Sequence, residues 1–174
     1  VILPNTGRPV EAWGVIGTGI KASDYMDGVS NHYGVYSVVL TVDEKEVFRS
    51  TVDRFSQEEN RMINSWTCGQ YMKSFIEPGN TLRLLKASNT NRGLVTIDEE
   101  RDYRFLYTLK DVFGNTSKYS FTVRGRKQPL EPLQHREKYF FAWDKVNYLQ
   151  APGLNLFVPK GMLYDDAPLN YQVK

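Results

Sequence analysis

The residues of this sequence that could do chemistry are few and scattered. His32 and His135 lie about a hundred residues apart and belong to no H-x-H, H-x-x-x-D or H-E-x-x-H spacing. A hydrolytic zinc site ordinarily takes two or three imidazoles, so both histidines are expected to be solvated loop residues. Carboxylates cluster at Asp24 and Asp27 and again at Asp98, Glu99 and Glu100. A carboxylate pair could support glycoside hydrolysis, and a carboxylate-rich loop could hold calcium. The first cluster lacks the alternating ligand spacing of a calcium loop, and the second falls between two expected strands, so both are expected to be turns. Cys68 is the single cysteine, which excludes an internal disulfide and a thiolate zinc cluster and leaves a buried structural thiol as the expectation. There is no G-x-S-x-G, and "GVIGTG" is not followed by a crossover helix. No catalytic, cofactor-binding or metal-binding set is expected in this chain.

One loop keeps the type of a site. Asp111, Gly114 and Asn115 sit in "KDVFGN", where a carboxylate and an amide could be offered to a ligand. The flanking residues point to a turn. Tyr103, Phe105, Tyr107 and Leu109 alternate with polar residues, and Tyr119, Phe121 and Val123 do the same downstream. Period two with one polar face marks half-buried antiparallel strands. Gly114 can take positive φ, Asn115 tolerates it, and the Asp111 carboxylate can hold loop N–H groups. The three residues are therefore expected to form the turn.

The rest of the chain supplies elements of the same kind. "GVYSVVLTV" predicts a strand buried on both faces, "DEKE" a four-residue charged loop, and "VFRSTVDRF" a returning strand with Phe48, Ser50 and Val52 on one side. Ser56 and Glu59 have capping-box spacing and predict a short helical turn to about residue 63. "PGN" at 78–80 predicts a turn and "TLRLLKA" another strand. Prolines and charges over 127–136 mark a linker, followed by strands in "KYFFAWDKV", "LNLFV" and "LNYQV". The expected fold is all-β: an immunoglobulin-like antiparallel β-sandwich of about seven strands over residues 1–126, then a β-rich extension or partial second module over 137–174.

Composition narrows the function classes. The 174 residues carry a net charge of +2 with no basic block, which argues against nucleic acid. No apolar run is long enough for a membrane span. The first residues, "VILPNTGRPVEAWG", do not form a signal peptide; a leader removed beforehand is the expected origin of this start. The aromatic share of 13% is high, and Trp13, Trp66 and Trp143 are the candidate ligand-contacting residues, each weighed against a role as a core anchor.

The order of several segments carries more information than any single motif. "WGVIGTGIKASDYMDG", "NHYGVYSVVLTVDEKEVFRSTVDRF", "NRMINSW", "KSFIEPGNTLRLL", "RDYRFLYTLKDVFGNTSKYSFTV" and "FAWDKVNYLQAPGLNLFVPKGMLYDD" follow one another through nearly the whole chain. In this order they resemble the region downstream of the catalytic domain in lysostaphin-type (LytM-like) zinc metallopeptidases of Bacteroides-like bacteria. Between Cys68 and Lys73 the sequence departs from that pattern, which is longer there. The resemblance implies an exported, periplasmic or cell-envelope peptidase acting on peptidoglycan, whose zinc ligands lie in another domain. This chain would be a non-catalytic accessory region. Its implied partners are the catalytic domain of the same polypeptide or cell-wall glycan and peptide. An independent carbohydrate-binding or adhesion module is the alternative.

Overall fold

A computed structural model describes residues 9–25, 28, 30, 32–130 and 137–172, with the side chain of His32 not among them. The chain is all-β. Its strands are β1 (Val10–Ala12), β2 (Gly14–Ile16), β3 (Gly19–Ile20), β4 (Asp24–Tyr25), β5 (His32–Tyr33), β6 (Ser37–Val42), β7 (Lys45–Thr51), β8 (Thr67–Cys68), β9 (Tyr71–Lys73), β10 (Leu85–Ala87), β11 (Val95–Ile97), β12 (Asp102–Lys110), β13 (Thr116–Gly125), β14 (Tyr139–Phe141), β15 (Asn147–Ala151), β16 (Leu154–Val158) and β17 (Ala167–Leu169). A 3₁₀ turn (Asn60–Met62) runs into a single α-helical turn, α1 (Ile63–Trp66). The chain divides into two compact units: Val1–Ile76 with Leu82–Leu130, and Glu77–Thr81 with Glu131–Lys174.

The first unit is built on a six-stranded sheet in the order β1-β13-β12-β6-β7-β10. The alternation read along residues 103–109 fixes its register. Tyr103, Phe105 and Tyr107 are buried, while Asp102 and Arg104 face water. Phe105 pairs with Phe121 across β13 and with Val42 across β6. Val38, Leu40 and Phe48 complete the buried side of the central strands. A one-residue slip would turn this whole aromatic row to solvent, so burial specifies the pairing. Gly14, at φ +82°, redirects the chain between β1, which pairs in parallel with β13, and β2, which pairs with β11 in another sheet.

Two expectations about strands change in this unit. The β6–β7 hairpin has a two-residue turn, not a four-residue loop, because Val42 pairs with Lys45. Asp43 (φ +47°) and Glu44 (φ +68°) both lie in the left-handed region, as in a type I′ turn, whose twist matches the strands it joins. The strand expected over "TLRLLKA" is confined to β10. Only Leu85–Ala87 pair with β7, and before them the Leu82 carbonyl accepts from Leu85 N–H (3.1 Å), closing a turn that buries Leu82 and Leu84.

The capping box forms. Glu59 Oε2 accepts from Ser56 N–H (2.8 Å) and Ser56 Oγ accepts from Glu59 N–H (3.3 Å), ahead of helical turns that continue to Trp66. Cys68 is exposed rather than buried as expected, because it sits in a tight hairpin: β8 and β9 pair Cys68 with Tyr71 around Gly69, at φ +59°.

In the second unit β14 pairs with β17, and β15 with β16. The Pro78–Gly79 turn belongs here. Gly79 N–H donates to the Tyr164 carbonyl (2.7 Å), and a Cβ on Gly79 would stand 2.3 Å from the Leu163 carbonyl oxygen. Within 127–136, residues 127–130 carry no regular structure, and 131–136, with His135, lie outside the described residues.

Candidate recognition surface on the second unit

The 111–115 loop is stapled from inside. Asp111 Oδ1 accepts from Phe113 N–H (2.9 Å) and Asn115 N–H (2.8 Å), and Asp111 Oδ2 accepts from Asn115 Nδ2 (2.6 Å). Gly114 stands at φ +91°. The Asn115 amide, with the loop N–H groups behind it, holds the Asp111 carboxyl below the usual carboxylate range. Both carboxylate oxygens are thus engaged by the loop itself.

The three tryptophans take different positions. Trp66 is 6% exposed, and its indole N–H donates to the Lys73 carbonyl (3.0 Å), which makes it an anchor of the first unit. Trp13, between β1 and β2, is half-buried. Trp143 is half-buried in the second unit, where its backbone N–H donates to Asp166 Oδ1 (3.1 Å).

The acidic clusters are also occupied locally. Glu99 N–H donates to the Tyr103 hydroxyl (3.1 Å), and Arg101 reaches both Glu99 (2.8 Å) and Asp43 (2.7 Å) while its guanidinium lies 3.7 Å over the Tyr103 ring. Asp24 accepts from Tyr25 N–H (2.9 Å); Asp27 is outside the described residues. Among the described residues no three His, Cys, Asp or Glu side chains converge on a metal position, and no helix is long and apolar enough to cross a membrane.

Pairing in the second unit assembles a surface that the sequence read only as two strands. Tyr148 lies opposite Phe157, and Gln150 opposite Asn155. Directly opposed residues share a face, so this face of the hairpin presents two aromatic rings followed by two primary amides. Tyr148 is 74% exposed and Phe157 55%, with ring centroids 5.0 Å apart. The other face turns Leu149 into the unit's core. The hairpin is held at both ends. Asn147 accepts from Ala142 N–H (2.9 Å) and donates to the Ala142 (2.8 Å) and Lys145 (3.1 Å) carbonyls, while Tyr171 OH donates to the Pro152 carbonyl at the turn formed with Gly153, at φ +77°. The surface is uncharged, amphipathic and braced, a combination suited to stacking on the C–H face of a sugar ring while amides meet its hydroxyls.

Residues 138–174 match the Zu5-like domain family. The Zu5-like match covers β14 to β17 and so includes the Tyr148–Phe157 face, but it spans a minor part of the chain. No curated protein and no solved structure matches the sequence.

Spacing alone did not single out Tyr148 or Phe157. The alternation in "NYLQA" and "LNLFV" was available as a signal. What it lacked was the register that sets the two rings opposite each other.

Proposed function

We propose that this chain is a non-catalytic recognition region of an exported cell-envelope metallopeptidase of the lysostaphin type. In that role it holds peptidoglycan for a zinc-dependent catalytic domain elsewhere in the same polypeptide. The order of segments through nearly the whole chain supports the parent enzyme. The observation that carries the recognition role is the exposed Tyr148–Phe157 pair with Gln150 and Asn155 on one braced hairpin face. Stacking of an aromatic ring on an apolar sugar face needs no titrating group and no metal, and it tolerates a repetitive polymer. The first unit is the scaffold in this reading, an immunoglobulin-like sandwich. Its support is the Tyr103 hydroxyl, which bonds back to the backbone of Glu99 at the start of β12 like the tyrosine corner of such folds.

The test is co-sedimentation of the purified chain with insoluble peptidoglycan. The unsubstituted chain is expected in the pellet, and the Tyr148→Ala/Phe157→Ala double variant in the supernatant with an unchanged melting temperature. A chain that stays soluble in the presence of the polymer overturns the recognition role. Pelleting by a chain whose full polypeptide encodes no H-x-x-x-D and H-x-H pair assigns it instead to an independent carbohydrate-binding module.

A further inference from the structure

Among the described residues the six-stranded sheet ends on an incompletely paired edge. Strand β13 spans Thr116–Gly125 and pairs along its whole length with β12, but on its other side β1 covers only Val123–Gly125. Among the described residues nothing pairs with Thr116–Thr122 on that side. The opposite edge strand, β10, is three residues long, the ordinary way of blunting an edge. The β13 edge is long, and its inward face is unfinished. Phe121 stacks on Phe105 (5.0 Å) and Tyr107 (6.3 Å), and Tyr119 tilts against Phe121 (6.1 Å), yet Tyr119 and Phe121 remain only half-buried where their neighbours are covered.

The strand already seated there shows what fits. In β1, Val10 and Ala12 lie opposite Val123 and Gly125, and Glu11 lies opposite Arg124 on the outer face. Both Glu11 carboxylate oxygens accept from Arg126 Nη1 (2.8 Å each). Along the open stretch the outer face carries Lys118, with Lys110 on the adjacent strand. Among the described residues neither lysine is in an ion pair, whereas Arg124 is matched by Asp102 (2.8 Å). Two copies of this edge would bring Lys118 against Lys118, so self-pairing is opposed by like charge. We propose that the Thr116–Thr122 edge of β13 takes an extended segment of a partner protein as an added strand. Its alternate residues are apolar, covering Tyr119 and Phe121, and acidic, meeting Lys118 and Lys110. Main-chain hydrogen bonds supply the affinity of such strand addition, and alternate side chains its specificity.

The experiment uses the whole chain with two capped probes, Val-Glu-Val-Glu-Val-Glu and Val-Lys-Val-Lys-Val-Lys, read by calorimetry and by hydrogen exchange. Binding of the acidic probe about ten-fold tighter than the basic one is expected. It should come with new protection of those amides of 116–122 that face away from β12. Lys118→Glu, an exposed change, should invert the preference between the probes. Absence of binding, equal affinity for both probes, or protection elsewhere would overturn the proposal. So would amides of 116–122 already protected in the free chain, because its own residues 1–8 or a second copy would then occupy the edge.

Discussion

Tyr107 and Ser74, thirty-three residues apart, share a 2.8 Å hydrogen bond in the core of the first unit, and Thr18 meets the same phenol at 2.8 Å. Tyr107 is 1% exposed, so its hydroxyl ties three chain segments together without water. Tyr107→Phe strands a buried serine hydroxyl and should cost about 1–2 kcal/mol in chemical denaturation.

The same phenol sets an alkaline limit. Burial pushes its pKa up from 10.0, more than the bonds from Ser74 and Thr18 lower it. The folded state therefore keeps a proton that the unfolded chain loses. The contribution is complete below about pH 10 and is lost as pH rises above it. Stability measured from pH 9 to 11 should fall more steeply for the unsubstituted protein than for Tyr107→Phe; parallel slopes would refute the assignment.

At the β12–β13 turn, conformation and contact can be separated. A side chain on Gly114 would meet nothing within 4 Å, so the cost of Gly114→Val is backbone strain at φ +91°, about 1–3 kcal/mol. Asp111→Ala removes the carboxylate that gathers Phe113 and Asn115 and should lower the melting temperature. The lowered pKa of Asp111 places its contribution above about pH 4, lost as pH falls through its folded value. Neither variant should change sedimentation with peptidoglycan. A folded Asp111→Ala protein that no longer pellets would make this loop part of the recognition surface.

The β6–β7 turn offers a parallel test. Asp43 Oδ1 accepts from Arg104 N–H (2.9 Å) and Oδ2 from Arg101 Nη1 (2.7 Å). Partial burial raises the Asp43 pKa, but these partners together outweigh it and bring the pKa below 3.8. Asp43→Gly loses the carboxylate and keeps the left-handed backbone, whereas Asp43→Ala loses both. The alanine variant should be less stable than the glycine one by about 1 kcal/mol, as read by thermal unfolding at neutral pH.

The contrast between these turns explains what was legible in the sequence. Asp111, Gly114 and Asn115 are turn formers acting on their own loop, so residue type alone located them. "DEKE" contains no glycine or asparagine. Asp43 is held in the left-handed region by Arg101 and Arg104, some sixty residues away, and no local pattern can show that. The aromatic alternation of 103–109 was readable because burial has one solution there. "TLRLLKA" was misleading for the opposite reason: Leu82 and Leu84 are buried, but from a turn.

The candidate surface on the second unit depended on register. Tryptophan drew attention as the largest stacking ring, and Trp66 is spent inside the core. Tyr148 and Phe157 became a pair only once β15 and β16 were aligned. Gln150 and Asn155, unremarkable in the chain, join the same face through that alignment.

The Glu77–Thr81 excursion bears on how this protein can be inherited. The second unit is encoded in two pieces, with β10 to β13 between them. A recombination event joining a foreign C-terminal module at 127–136 would bring in new strands but retain the host's Pro78–Gly79 turn. That turn requires a carbonyl where Tyr164 provides one and a bare α-carbon beside Leu163. Exchange of the cassette by itself should therefore yield poorly folding chimaeras. Exchange of the whole span from residue 77 onward keeps both pieces in one parent but parts β6 and β7 from β12 and β10 of the first unit's sheet, so crossovers that survive selection should be rare anywhere between β1 and residue 131.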